Sequence, residues 1–402
     1  MVALAIFAGT YLVLALGRFP GMRVDRAGAA VIGASLMVAT GSIGFDDALR
    51  AVDWPTIVLL LGMMIVAGNL RLAGFFRWVA AWVVRHAHHP RTMLAGVVIV
   101  CGALSAVFVN DTICIVMTPL VVEVTLALKR NPIPYLLAVA MSSNAGSVAT
   151  ITGNPQNMMI GALSKIEYAR FAAALAPIGA LSLVVVYIVL RWLYRSEFDG
   201  SHFDVGERVR TRVNKPMLWK SLAVSVAMVA LFFAGWGVAQ TAIVAGAVML
   251  ATRRVKPEKV YGEVDWTLLA LFAGLFVVVA GVERTTLERD LLETAKGFGL
   301  DRVWVLSGAS AVLSNLVSNV PAVLVFRPVV ERLADAELGW LTLAMSSTLA
   351  GNLTILGSVA NLIVVERARG QVDIRFTEYV KAGIPVTLAT LALGTAWLTF
   401  VR

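Results

Sequence analysis

Charge is scarce in this chain. Asp, Glu, Lys and Arg make up 15% of 402 residues, against roughly 25% in a soluble domain. With 59% hydrophobic residues and a mean hydropathy of +0.81, that shortage excludes a cytosolic globule and a disordered chain. Cysteine is almost absent as well. Cys101 and Cys114 lie in apolar stretches without a CxxC spacing, which excludes a disulfide framework and gives no sign of a zinc site; both read as packing residues. Three of the four histidines, His86, His88 and His89, stand beside Arg85 and Arg91 in a spacing that matches no common metal-ligand pattern. Walker A, HExxH and GxSxG strings are missing. ATP-driven work, zincin hydrolysis and a nucleophile elbow therefore have no support, and neither catalytic residues nor a cofactor are expected.

What the chain does have is apolar runs of about 15 to 22 residues, long enough to cross a hydrocarbon core of about 30 Å. They fall near 2–17, 27–43, 54–70, 93–109, 112–128, 133–164, 171–190, 218–236, 238–252, 265–282, 302–317, 320–333, 340–365 and 379–401. The first is not a cleaved signal peptide, because Arg18, Arg23 and Arg26 follow its apolar run instead of preceding it. That order places the N-terminus outside. Carrying the alternation forward makes 18–26, 71–92, 129–130, 191–220, 253–259 and 366–381 cytoplasmic, and these loops hold 24 of the 34 Lys and Arg residues. The C-terminus then lies outside, as do the acidic loops 44–53 and 334–339. The net charge of +9 thus records loop topology, not a nucleic-acid surface. The long polar stretch 191–220 reads as a cytoplasmic linker; as a basic run it could also touch anionic lipid.

Two halves of the chain match each other in order. Val52-Asp53-Trp54 opens VDWPTIVLLLGMMIVAG, and Val264-Asp265-Trp266 opens VDWTLLALFAGLFVVVAG. SAVFVNDTICIVMTP (105–119) aligns with SNLVSNVPAVLVFRP (314–328), setting Asn110 on Asn319 and Asp111 on Val320. AMSSNAGSVATITGNPQN (140–157) aligns with AMSSTLAGNLTILGSVAN (344–361). The first VDW lies outside and its helix runs inward, whereas the second follows the basic RRVKPEK and runs outward. The halves are therefore expected to be inverted in the membrane, the architecture of many secondary transporters.

Polar interruptions fall at matching places. Segment 133–164 would be about 48 Å long as a straight helix at 1.5 Å per residue, too long for one upright crossing. It contains Ser142-Ser143-Asn144-Ala145-Gly146-Ser147 and Thr152-Gly153-Asn154-Pro155-Gln156-Asn157, and Gly-Asn-Pro breaks a helix. Its counterpart runs Gly351-Asn352-Leu353-Thr354-Ile355-Leu356-Gly357-Ser358 and ends at Asn361. Such breaks free carbonyls that can hold Na+ and half-helix N-termini that favour an anion. The tips Asn110-Asp111-Thr112 and Ser318-Asn319 sit mid-membrane if 93–128 and 302–333 are re-entrant hairpins, and in external turns if they are full crossings. The charge bias is compatible with both, and the paired asparagines favour the hairpin. The expected fold is an all-α polytopic membrane protein with about ten transmembrane helices, two re-entrant hairpins and two discontinuous helices (133–164, 340–365). Asp111 is the informative residue. An intramembrane carboxylate costs about 2.5–3.5 kcal/mol, so it is a candidate for carrying a coupling H+ or Na+; it is also a candidate N-cap for a helix starting at Thr112.

At these motifs the chain resembles the ion transporter superfamily, which includes arsenite permeases, citrate–metal symporters, sodium/proton antiporters of the NhaD type and divalent anion–sodium symporters. FVNDTICIVMTPLVV and SNVPAVLVFRPVV are similar to its hairpin-tip motifs, and ITGNPQNMMIG and TLAGNLTILGSVANLIV to its unwound helices. The resemblance implies a homodimer with scaffold segments 1–50 and 218–262. It implies elevator-like transport halves 51–195 and 263–402, joined by the linker 196–217. Its binding positions map onto Asn110, Asp111, Thr112, Ser318 and Asn319 and onto the breaks: Ser143, Asn144, Thr152, Gly153, Asn154 and Asn157 in the first half, Thr354, Gly357, Ser358 and Asn361 in the second. Divalent-anion symporters carry Ser-Asn-Thr at both tips, and the Asn-Asp-Thr found here would repel a dianion unless a cation or proton intervenes. The expected function is secondary active transport of a small inorganic or organic anion across the cytoplasmic (inner) membrane, coupled to H+ or Na+. Arsenite or antimonite extrusion comes next and sodium/proton antiport third; a passive channel would need a continuous polar pore.

Overall fold

The computed structural model describes residues 1–17, 24–199, 213–251, 255–283 and 298–400; most of the expected linker 196–217 lies outside them. The first repeat folds into α1 (Val2–Leu16), α2 (Arg26–Ala39), α3 (Phe45–Ala51), α4 (Trp54–Ala73) and α5 (Phe75–His86). It continues with α6 (Pro90–Val107), α7 (Asn110–Ala127), α8 (Pro132–Ser147), α9 (Pro155–Ser164) and α10 (Tyr168–Leu193). After the short α11 (Arg195–Phe198), the second repeat opens with α12 (Lys215–Phe233), α13 (Val238–Leu250), α14 (Pro257–Tyr261) and α15 (Trp266–Glu283). It ends with α16 (Val303–Val317), α17 (Asn319–Val330), α18 (Ala336–Ala350), α19 (Val359–Ala368) and α20 (Phe376–Phe400). The repeat position of α5 falls on 284–297, outside the described residues. No strand occurs among the described residues, and seven helices there are long and apolar enough to cross a membrane. The protein is an all-α, multi-pass membrane protein.

Local chemistry explains why the repeats are legible. In both VDW strings the aspartate caps a helix: Asp53 accepts from Thr56 N (3.4 Å) and Thr56 Oγ1 (3.2 Å), and Asp265 from Leu268 N (2.9 Å). His89 does the same for α6, its Nδ1 accepting from Arg91 N at 3.1 Å. Both long polar segments break. Helix α8 stops at Ser147, a 3-10 turn covers Ile151–Gly153, and α9 restarts behind an extended Asn154 with Pro155 in its first turn. Helix α18 stops at Ala350, a 3-10 turn covers Ile355–Gly357, and α19 restarts behind an extended Ser358.

The interior is built around α8 and α18. Every residue from Pro134 to Ser147 and from Gly339 to Ala350 is buried. The first arm of each hairpin, α6 or α16, lies along the α8 or α18 of its own repeat, with α10 and α20 packed behind them. Gly146 and Gly102 allow the α6–α8 approach, since a side chain on Gly146 would run into the backbone of Gly102. Exposed Leu181, Val184 and Ile188 on α10 and Leu388 on α20 form the outward apolar surface expected against lipid.

The outer helices exchange partners. Helix α4 packs on α13 of the other repeat, and α15 packs on α2. Gly62 and Gly274 occupy equivalent positions at the crossings: a Cβ on Gly62 would lie 2.6 Å from the backbone of Ala242, and one on Gly274 2.7 Å from that of Ala30. This pairing exposes a fourth matched block, Ala30–Ala39 with Ala242–Ala251. Overpacking costs about 1–3 kcal/mol. Gly62→Val and Gly274→Val are each expected to lower the melting temperature in detergent by similar amounts, and tolerance at one crossing with collapse at the other would break the equivalence.

Candidate functional site

Asn144, buried near the end of α8, is the hub of the interior. Its Nδ2 donates to Asn352 Oδ1 (2.9 Å) and Asn361 Oδ1 (3.0 Å); its Oδ1 accepts from Asn110 Nδ2 and Ser358 Oγ, both at 3.1 Å. The matched residue in the second repeat is Thr348. Its Oγ1 accepts from Asn154 Nδ2 (3.2 Å) and Gln156 Nε2 (3.1 Å). Each half's polar residue therefore holds the helix break of the other half.

Asn157 and Asn361 play a second matched role. Asn157 Nδ2 donates to the carbonyls of Ser147 (3.1 Å) and Thr150 (3.0 Å), and Asn361 Nδ2 to those of Gly351 (2.7 Å) and Thr354 (2.9 Å). These side chains satisfy carbonyls that the breaks remove from helical pairing, as a buried backbone requires. Gly153 and Gly357 are needed for close approach: a Cβ on the first would meet the Ser147 carbonyl, and one on the second would lie 2.7 Å from Asn315 Oδ1. Thr152 bonds Tyr168 at 3.0 Å, and Thr354 Oγ1 accepts from Gly357 N at 3.1 Å. These residues shape the breaks from behind.

The α6–α7 and α16–α17 turns meet the breaks. Ser143 Oγ donates to Asn110 O at 3.1 Å and contacts Ser105 Oγ at 2.9 Å. Asn319, in the amide orientation its neighbours demand, donates to Ser347 O (3.1 Å) and Gly357 O (3.2 Å) and accepts from Gln156 Nε2 (3.2 Å). Ser318 is held at φ 81° and ψ 160°, a backbone region normally reserved for glycine that costs about 1–3 kcal/mol. Asp111 does not cap a helix at Thr112. Helix α7 starts two residues earlier, at Asn110, with Val109 as its cap and no side-chain capping bond. Asp111 therefore sits inside the first turn, where the helix dipole favours a carboxylate. Thr112 follows it, with its N–H donating to Val109 O at 3.0 Å.

A cavity of about 60 Å³ opens where these parts converge. Asn110, Asp111, Ser318, Asn319 and Ser358 line it together with Pro155 and Gln156, so residues from both tips and both breaks face a common space. Asn144, Asn154, Asn157, Asn361 and the remaining predicted residues are not on that lining. Two lining side chains escape sequence reasoning, Gln156 and Arg26. Gln156 aligns with Ala360, so the repeat gives it no emphasis; Arg26 registers only as a topology signal. Asp265, the cap of α15, is close enough to Asp111 to act on it electrostatically. Leu14, Leu268 and Leu271 supply an apolar wall.

The comparisons with known proteins agree with this architecture. A silicon efflux transporter of rice, LSI3, is 31% identical over 93% of this chain and 92% of its own. The putative transporter arsB of Dictyostelium discoideum is 24% identical over 92% of this chain and 86% of its own. The structure of the Neisseria gonorrhoeae efflux pump MtrF superposes with a TM-score of 0.65 at 12% identity, covering 99% of this chain and 94% of that one; at that identity it speaks for the fold alone. The citrate transporter family profile, CitMHS, matches residues 11–350. With more than half of its length matched, the chain belongs to the citrate transporter family of membrane transporters.

Proposed function

We propose that this protein is a secondary active transporter of the cytoplasmic membrane, moving a small anion coupled to H+ or Na+ by alternating access. The observation that carries the reading is the convergence of both hairpin tips and both helix breaks on one cavity. Two equivalent halves that exchange conformations would open such a cavity first to one side and then to the other. In this reading 51–195 and 263–402 move as elevator-like transport halves against the scaffold 1–50 and 218–262 of a homodimer. The segments 93–128 and 302–333 are re-entrant, the termini lie outside and the linker inside. Asn110, Gln156, Asn319 and Ser358 would exchange part of their mutual hydrogen bonds for bonds to oxygen atoms of an anion, and Asp111 carries the coupling ion.

A second reading is proton-coupled efflux of arsenite or a similar neutral oxyacid. The silicon and arsB relatives and the small cavity support it. Sodium/proton antiport comes third, helped by Asp265 near Asp111. The discriminating experiment is uptake into proteoliposomes of phosphate, sulfate, succinate, citrate, arsenite and sodium under imposed proton or sodium gradients, with counterflow measured for each. An anion that accumulates with a gradient and shows counterflow is the expected result. Flux without counterflow would mean a channel, and accumulation of arsenite alone would transfer the assignment to the second reading.

A further inference from the structure

Arg26 is the only basic side chain on the described lining of the cavity, and Asp111 the only acidic one. It stands at the first position of α2, behind the Asp25 cap, whose carboxylate is engaged with Gly28 N at 2.8 Å. The guanidinium is half-buried and makes no ion pair among the described residues. Its Nη2 lies 4.0 Å from where a side chain on Gly17 would begin, at the C-terminal end of α1. The partial negative charge of that helix end suits a guanidinium, and no side-chain hydrogen bond or ion pair of Arg26 occurs among the described residues.

A partly desolvated cation with no counterion among the described residues is costly unless something completes it. A guanidinium is the side chain best suited to an oxyanion, because its donors match two oxygens at once. The neutral donors of the tips and breaks can orient oxygen atoms, but they cannot distinguish a charged oxyanion from a neutral oxyacid. We infer that Arg26 is the specificity-determining residue of this cavity: it supplies the positive charge that selects an anion over a neutral molecule of similar shape. The inference rests on the reading of the protein as an anion transporter and adds to it a residue on α2, the helix that packs against α15 of the other repeat.

The test uses the full chain in proteoliposomes with two probes, the anion of the panel that the wild type carries best and arsenous acid, which is neutral at pH 7. Arg26→Gln is expected to raise KM for the anion about tenfold or more, the scale of one lost charge-assisted hydrogen bond. Flux of the neutral probe should stay within about twofold, and Arg26→Lys, which keeps the charge but not the fork, should fall between wild type and Arg26→Gln. An unchanged anion KM in Arg26→Gln overturns the assignment. So does equal loss of both probes in both variants, which would make Arg26 a structural residue at the end of α1. A wild type that carries arsenous acid and no anion overturns the transport reading itself, a failure visible before any variant is made.

Discussion

Replacing Asn144 with leucine is expected to abolish transport and to lower stability by about 3 kcal/mol or more. The side chain makes four buried hydrogen bonds, to Asn110, Asn352, Ser358 and Asn361. Leucine has nearly the same volume but leaves those partners facing apolar atoms, and each unsatisfied buried group costs about 1–3 kcal/mol. The individual costs will not add fully, because the four partners belong to one network and can partly re-pair. The effect on transport should exceed the effect on folding, since the lost bonds join a hairpin tip of one half to the helix break of the other. Thr348→Val makes the useful comparison: it removes one acceptor serving Asn154 and Gln156 and should cost less on both counts. Thermal unfolding in detergent and initial uptake rates measure the two quantities, and wild-type values of both in Asn144→Leu would refute the hub assignment.

Asp111→Asn should abolish gradient-driven accumulation while preserving substrate exchange and the fold. Asparagine imitates the protonated carboxyl in shape and charge, so a carrier locked in that form can bind and exchange substrate but cannot pick up or release the coupling ion. The position makes the substitution mild structurally. Asp111 is half-buried on the cavity lining and makes no capping bond that the change would remove. Arg26, the charged side chain that shares the cavity lining with Asp111, remains in place. Concentrative uptake at the wild-type level in Asp111→Asn would remove Asp111 from the coupling step; loss of exchange as well would mean that it binds substrate directly.

The parts of the site that can be read from the chain are those produced by local rules. Gly-Asn-Pro at 153–155 disfavours a continuous helix, and α9 starts there, capped by Asn154 with Pro155 in its first turn. The aspartates of the two VDW strings cap helices because the bond reaches only three residues along the chain. The capping role expected for Asp111 rests on a helix that starts at Thr112, and helix ends read from local rules shift by one or two residues. The structure resolves this in favour of the first turn.

Roles that depend on distant neighbours could not be read in advance. Asn144, at the end of α8, becomes a hub only because Asn352, Ser358 and Asn361, more than 200 positions away, close on its amide. Gln156 gains its place only because Asn319 and Thr348, far along the chain, converge on its amide.

By itself, then, the sequence determined that this is a helical membrane protein made of two matched halves with paired interruptions, because apolar length, helix capping and proline geometry act within a few residues of one another. The tertiary structure alone decided which polar side chains face the cavity, that α4 and α15 cross into the opposite repeat at Gly62 and Gly274, and that Arg26 stands beside the same space as Asp111. Those facts depend on which surfaces close together when the two halves pack, and packing joins residues hundreds of positions apart that no local pattern links.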